Sequence, residues 1–178
     1  KIEKLERIGK GAFGKVYKGR LQQANIAIKV TKIAYYDSFI DELSAMNQMQ
    51  GDSSDNVIAL KGYDVNVKTG QCYLYMELAD RGSLCDLLDN EAPWSLPLRY
   101  QLIKDIVNGV CFIHKHQLVH ADLKSGNILI DSKGRAKIGD FGLSDKEKNF
   151  EAGYGTLVYK APELLENNPN TFKSDIYS

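Results

Sequence analysis

The sequence has no excess of either charge, few cysteines and no long apolar segment. It contains 23 lysines and arginines against 23 aspartates and glutamates, so its net charge favours neither nucleic acid nor an anionic membrane as a partner. Its three cysteines are far apart and form no Cys-x-x-Cys pair, which indicates a reducing compartment and no zinc site. No stretch approaches the roughly 18 apolar residues that a transmembrane helix needs. We therefore expect a cytoplasmic protein, or the cytoplasmic side of a membrane protein whose other parts lie outside this sequence.

What is present centres on residues 120–127, which place a carboxylate, an ammonium and an amide on one short segment. These residues have the sequence HADLKSGN, and they are followed by an apolar run at 128–130 and by Asp-Phe-Gly at 140–142. Carboxylate and amide oxygens bind Mg²⁺, a lysine offsets phosphate charge, and a carboxylate can orient an attacking hydroxyl. The two motifs in this order predict a site that holds a polyphosphate and its metal during transfer. A plain surface loop would be the better interpretation of any one of these residues alone.

Three glycines, Gly9, Gly11 and Gly14, lie between two strand-like segments near the start of the chain. A G-x-G-x-x-G pattern is weak on its own, but here it opens no helix, which disfavours a dinucleotide-binding βαβ unit. Glycines allow backbone N–H groups to come close to phosphates. The pattern therefore predicts a β-hairpin that covers a nucleotide, with a bare structural hairpin as the alternative.

Lys29 lies within the apolar, β-branched run at 26–30, where an ammonium costs free energy unless it meets an anion. Residues 39–49 have apolar side chains at helical spacing, and Glu42 lies near that apolar face. We expect Glu42, rather than Asp41, to pair with Lys29, and nucleotide phosphates are the other candidate anion. The alternative is that both carboxylates are solvated.

The order of the predicted elements indicates an α+β chain with a strand-rich part and a helical part. Strands are predicted over 2–30, 57–63 and 72–77, with one helix between them. A turn-rich connector follows at 78–82, and helices are predicted over 84–88 and 96–115. We therefore divide the chain into residues 1–77, a hinge at 78–82, and residues 83–178.

Taken in order, these motifs resemble those of eukaryotic protein kinases along the whole chain, including the Ala-Pro-Glu at 161–163 and the segment 174–178. The resemblance implies a bilobal fold, with a small antiparallel-sheet lobe with one helix over a mainly helical lobe and ATP bound between them. It implies transfer of the γ-phosphate of ATP to protein substrates, with Mg²⁺. The pattern Asp-Leu-Lys-Ser-Gly-Asn and the pair Gly155-Thr156 resemble serine/threonine enzymes, specifically the tyrosine-kinase-like group.

The resemblance also implies a role for individual residues. The catalytic residues would be Lys29, which binds the α- and β-phosphates while paired with Glu42, Asp122, which orients the substrate hydroxyl and accepts its proton, and Lys124, which contacts the transferred phosphate. The metal ligands would be Asn127 and Asp140. The residues around the nucleotide would be Ile8, Gly9, Gly11, Gly14, Val16, Ala27, Lys29, Met76, Glu77, Ala79 and Leu129.

The sequence departs from the kinase signature at Ala121, where the family has arginine. In the family that arginine binds a phosphate on the activation loop, which suits a guanidinium and which alanine cannot do. We therefore expect activity that does not depend strongly on activation-loop phosphorylation. The hydroxyls between Phe141 and Tyr159 are Ser144, Tyr154 and Thr156.

Two other functions remain open at this point. One is a pseudokinase that binds nucleotide or acts as a scaffold, and the other is a tyrosine or dual-specificity kinase. A pseudokinase typically lacks a lysine or carboxylate of the site, whereas Lys29, Asp122 and Asp140 are all present. The sequence begins without methionine and stops at Ser178 within a predicted helix, so we expect a fragment of the family's domain, in which Glu163 would lack its arginine partner.

Overall fold

The N-terminal part of the chain forms a sheet with one helix, and the rest is mainly helical. A computed structural model describes residues 2–10, 14–89, 94–144, 157–166 and 168–178. The sheet is antiparallel, with strand order β1-β2-β3-β5-β4. Its strands are β1 Ile2–Lys10, β2 Gly14–Leu21, β3 Ala24–Lys32, β4 Leu60–Asn66 and β5 Gln71–Glu77. The α+β, two-part organisation predicted from the sequence is confirmed.

Strand β3 is buried on both faces of the sheet. Ile26, Ile28 and Val30 form a cluster on one face, and Ala27 belongs to the main core on the other. Successive side chains of a strand alternate between faces, so Lys29 lies on the same face as Ala27. That face is covered by α1, Tyr36–Gln48, which buries Phe39, Glu42, Ala45 and Met46.

The second part of the chain begins after a connector at 78–83. Its elements are α2 Leu84–Leu88, α3 Leu96–Lys115, β6 Ile128–Ile130, β7 Ala136–Ile138, α4 Pro162–Leu165 and α5 Phe172–Tyr177. Helix α3 begins where Ser95 accepts a hydrogen bond from Leu98 N, with a proline in its first turn, and its buried face includes Leu102, Val110 and Ile113. Within the described residues, no helix is long and apolar enough to cross a membrane.

The predicted strand at 57–63 begins later than expected, at Leu60, because the preceding residues pair with β7 instead. Ile58 N donates to Ile138 O, and Ile138 N donates to Asn56 O, both at 2.9 Å. Helix α3 comes close at the same point, since a Cβ on Gly109 would lie 2.6 Å from Asn56 O. These contacts fix β7, and the segment that follows it, against the sheet lobe.

Candidate active site

Lys29 is the centre of a buried ionic cluster. Its Nζ lies 2.8 Å from Glu42 Oε1 and 2.7 Å from Asp140 Oδ1. Lys29 and Glu42 are 5% and 3% exposed, whereas the Asp140 side chain is 41% exposed. One ammonium therefore joins β3, α1 and the segment after β7. Glu42, rather than Asp41, is the helix carboxylate in contact with Lys29.

The charge states of this cluster follow from burial and pairing. Burial alone would lower the pKa of Lys29, but Glu42 and Asp140 hold that pKa above its usual range. Burial likewise opposes ionisation of Asp140, but the adjacent ammonium keeps the pKa of this carboxyl below its usual range. For Glu42 burial prevails, and its pKa is raised despite Lys29. Asp140 is therefore the ionised carboxylate that is open to a ligand.

A second cluster is built on the segment 120–127. Lys124 Nζ lies 2.7 Å from Asp122 Oδ2, and Asn127 Nδ2 donates to the same oxygen at 2.9 Å and to the Asp122 carbonyl at 2.8 Å. Because Nδ2 donates both of these hydrogen bonds, they fix the orientation of the Asn127 side-chain amide. Asp122 thus has one oxygen engaged by a cation and an amide, in a side chain that is 11% exposed.

The backbone before Asp122 is held in an unusual conformation by Asp175. Its carboxylate accepts hydrogen bonds from the N–H groups of His120 at 2.8 Å and Ala121 at 2.9 Å, and it lies 2.9 Å from His114 Nε2. Ala121 has a φ of 66°, a left-handed conformation that is costly for a residue with a Cβ. The contribution of Asp175 was not foreseen from the sequence, because no local pattern marks it as a partner of residues 120 and 121.

The two clusters are joined by short contacts around Phe141. Gly139 N donates to Asn127 O at 3.0 Å, and His120 Nε2 lies 3.1 Å from Gly139 O. The His120 and Phe141 rings are both fully buried, with centroids 5.1 Å apart. Burial lowers the pKa of His120 below its usual range, so the ring is neutral at pH 7. Asn127 and Asp140, the two predicted metal ligands, are thereby held near each other through Gly139.

An apolar surface lies beside these clusters, at the junction of the two parts. Ala27 pairs with Met76 across β3 and β5, and Val16 pairs with Lys29 across β2 and β3. The other predicted nucleotide-contacting residues with apolar side chains in this core are Ala79 and Leu129. Position 14 requires glycine, because a Cβ on this residue would lie 2.6 Å from Val30 O. 

The remaining predicted residues of this surface lie on β1 and β5. Gly9 pairs with Val16, and Ile8 beside it is 46% exposed. Glu77 ends β5, and its N–H donates to Ala59 O at 2.9 Å. Gly11 lies outside the described residues.

Lys137 is a buried lysine near the predicted site that the sequence analysis missed. It is 6% exposed, and its Nζ lies 2.9 Å from Glu77 Oε1 at the hinge, while Asn56 Nδ2 donates to the carbonyl of Ala136 beside it. The ion pair joins the hinge to β7, three residues before Asp140. A lysine in an apolar three-residue strand was the available signal, since such a residue needs an anion.

The donor set fits a nucleotide with a divalent metal. Asp140 has one carboxylate oxygen that is not bonded to Lys29, and the Asn127 amide nitrogen faces Asp122, which leaves its oxygen as a ligand. Among the described residues there is no cluster of three or more His, Cys, Asp or Glu side chains that could hold a metal. A pair of oxygen ligands is what Mg²⁺ requires when phosphates and water complete its octahedron.

The fold and this arrangement of charged groups are those of a protein kinase domain. The chain matches the protein kinase domain family over residues 2–178, and it therefore belongs to that family. Protein kinase domains in general use ATP with a divalent metal and act on proteins.

Curated relatives match the chain over nearly its whole length. It is 35% identical to receptor-interacting serine/threonine-protein kinase 3 of Rattus norvegicus, over 99% of the chain and 39% of the relative. It is 34% identical to L-type lectin-domain containing receptor kinase V.9 of Arabidopsis thaliana, over 97% of the chain and 27% of the relative. It is 31% identical to a mitogen-activated protein kinase kinase kinase of Caenorhabditis elegans, over 99% of the chain and 18% of the relative. The chain thus spans at most about two fifths of these relatives.

The ionic cluster predicts a strong energetic coupling between Lys29 and Glu42. Replacing Lys29 by Met leaves the buried Glu42 carboxyl without its cation, which should lower the free energy of unfolding by about 3–5 kcal/mol. The double variant K29M/E42L removes the buried charges together and should cost less than the sum of the two single variants. Urea unfolding of the four proteins in this cycle measures the coupling.

The exposed pair of Lys115 and Asp52, 3.1 Å apart, provides the control cycle. Water screens this pair, so K115M and D52L should be additive within error. Additive effects at Lys29 and Glu42 as well would contradict the account of the buried cluster.

Proposed function

We propose that the protein is an ATP-dependent serine/threonine kinase that phosphorylates protein substrates with the help of Mg²⁺. The observation that supports this most is the position of Asp122, which is bonded to Lys124 and Asn127 and connected through Gly139 to Asp140. In the proposed site, a carboxylate that would meet the acceptor hydroxyl lies beside a cation and two oxygens that would bind the metal. It is the set of groups that phosphoryl transfer requires.

The nucleotide would lie between the sheet and the segment around Asp140. The apolar side chains of Val16, Ala27 and Leu129 would enclose the adenine, with Met76 at the back. Because the N–H of Glu77 is bonded to Ala59 O, the adenine would meet the carbonyl of Glu77 and the backbone of Ala79. Ile8 and the glycines of the β1–β2 hairpin would cover the ligand.

Lys29 would bind the α- and β-phosphates in the position that Glu42 and Asp140 give it. Asn127 and Asp140 would hold Mg²⁺, which neutralises charge on the phosphates when bound. Because the ammonium of Lys29 is already paired at 2.8 and 2.7 Å, little side-chain entropy is lost when phosphate arrives.

The transfer step follows from the contacts of Asp122. Its carboxylate would accept a hydrogen bond from the serine or threonine hydroxyl of the substrate and take the proton as the hydroxyl oxygen bonds to the γ-phosphorus. The bond from that phosphorus to the bridging oxygen breaks, and ADP leaves with the electron pair. Lys124, 2.7 Å from Asp122, would offset the charge on the transferred group.

Serine/threonine specificity is supported by the motif at residues 122–127 and by the printed name of the rat relative. A cytoplasmic location is supported by the three cysteines, Cys72, Cys85 and Cys111, which are all free thiols in the structure.

Replacing Asp122 by Asn tests the proposed role of this residue. In the full-length protein with Mg²⁺ and ATP, D122N should lower turnover of a generic serine/threonine substrate by about a hundredfold or more, because the amide cannot accept the proton. Affinity for ATP, measured by calorimetry, should change little, since Asp122 does not contact the predicted nucleotide surface. Asp37→Asn, at an exposed position of α1, is the matched control and should leave turnover unchanged.

Turnover that survives in D122N would contradict the role of Asp122. Nucleotide binding without turnover in the unmodified protein would instead indicate a pseudokinase.

Phosphatase treatment tests the prediction made from Ala121. Ala121 uses its N–H to bind Asp175 and has no side chain that could bind a phosphate. Ser144 is 3% exposed and donates to His120 O at 3.2 Å, so its hydroxyl is a poor target for modification. Tyr154 and Thr156 lie outside the described residues. Turnover by the full-length protein should therefore remain within about twofold after its phosphates are removed, as verified by mass spectrometry.

The variant Ala121→Arg provides the comparison. A guanidinium there restores a partner for a phosphorylated loop, so the activity of this variant should become more sensitive to the phosphatase than that of the wild type. Loss of turnover in the dephosphorylated wild type would refute the prediction.

A further inference from the structure

An excess of positive charge lies on β1 and β2, at one edge of the sheet. These two strands carry six lysines and arginines against two glutamates, whereas the chain as a whole has equal numbers of cationic and acidic residues. A local excess of this kind creates a positive potential that attracts anionic partners.

Strand pairing places four of these cations on the same face of the sheet. Arg7 lies opposite Tyr17, and Lys10 lies opposite Lys15. Lys4 Nζ lies 3.3 Å from the centre of the Tyr17 ring. Residues that are opposite each other, or two apart on one strand, share a face, and all four cations are exposed. These four residues are called the basic face below.

The basic face is turned away from the predicted nucleotide surface. Val16 pairs with Lys29, whereas Lys15 beside it pairs with Val30. Val30 belongs to the apolar cluster on the other face of the sheet from Lys29. Because successive residues of a strand point to opposite faces, the basic face is separate from the site proposed for ATP.

None of the four cations has a carboxylate partner among the described residues. Of the two glutamates on β1, Glu3 lies opposite Arg20 on the other face, and Glu6 is exposed and makes no ion pair with the described residues. Lys10 and Lys15 are like charges directly opposite each other, which is unfavourable until an anion lies between them.

The side chains around the basic face favour an acidic protein segment over a nucleic acid or a membrane. The face of the Tyr17 ring, on which a base would stack, is covered by Lys4. The apolar side chains of Ile26, Ile28 and Val30 on this side of the sheet are buried, so they cannot insert into a bilayer. From Lys4 to its last cation the strand β1 extends about 20 Å, the length of about six residues of extended peptide.

We propose that the basic face is a docking site for an extended segment of a partner protein that is rich in aspartate and glutamate. Carboxylates of the segment would pair with the four cations and relieve the repulsion between Lys10 and Lys15. The inference goes beyond the proposed kinase function and does not depend on it, because the face lies on the opposite side of the sheet from the nucleotide surface.

Three labelled peptides of equal length test the proposal on the full-length protein. They alternate glycine with Glu, Gln or Lys, and their affinities are measured by fluorescence anisotropy without ATP. The variants are K10Q/K15Q and the charge reversal K10E/K15E. The matched control is K18Q/R20Q, which removes two cations from the same strand β2 but from its other face, where these residues pair with Ala27 and Asn25.

The wild type should bind the Glu peptide about tenfold more tightly than the Gln peptide at low salt, and the difference should decrease as salt is added. K10Q/K15Q should lower the affinity for the Glu peptide about fivefold, because two exposed ion pairs are lost. K18Q/R20Q should stay within about twofold of the wild type. K10E/K15E should bind the Lys peptide more tightly than the wild type does, which a variant that failed to fold would not do.

Equal affinity of the wild type for the Glu and Gln peptides would overturn the proposal, as would an equal loss in K10Q/K15Q and in K18Q/R20Q. Vesicles that contain phosphatidylserine and a single-stranded oligonucleotide are tested in parallel. If either bound more tightly than the Glu peptide and lost affinity in K10Q/K15Q, the face would belong to a membrane or a nucleic acid instead. Since no step uses ATP, failure of the proposed kinase function would produce none of these outcomes.

Discussion

The structure depends on one buried ammonium that is shared by two carboxylates. Lys29 lies in the middle of a strand that is buried on both faces, so its charge is tolerated only because Glu42 and Asp140 lie within 2.8 Å. The requirement ties together the sheet, helix α1 and the segment after β7, which are far apart in sequence. It also leaves an ionised Asp140 with one oxygen free, at the place where a metal and phosphates would bind.

The second part of the site depends on a backbone conformation that the buried carboxylate of Asp175 holds in place. Asp175 holds the N–H groups of His120 and Ala121, and thereby keeps Ala121 in a left-handed conformation just before Asp122. The contact between Gly139 N and Asn127 O then connects this segment to Asp140. The two clusters are therefore held in a fixed relation to each other.

The sequence predicted the elements whose signals are local, and it missed contacts that arise between distant segments. Helix α3 was predicted over 96–115 and observed over the same residues, because its apolar spacing, Ser95 and the proline in its first turn agree. The late start of β4 could not be predicted, since Ile58 leaves the sheet to bond with Ile138. The positive φ of Ala121 had no local signal in the sequence, and the lysine within β7 indicated a need for an anion but not which one, because Asp175 and Glu77 are each more than fifty residues away.

The most direct test of this account is the Mg²⁺ dependence of ATP affinity in the full-length protein and in Asp140→Asn. If Lys29 keeps Asp140 ionised and in position to bind the metal, Mg²⁺ should tighten ATP binding to the wild type by about tenfold. The reason is that the bound Mg²⁺ adds a bond to the charged carboxylate of Asp140. In D140N the affinity measured without Mg²⁺ should persist, and the gain on adding Mg²⁺ should disappear. An equal gain in both proteins would show that Asp140 is not the metal ligand and would contradict the account.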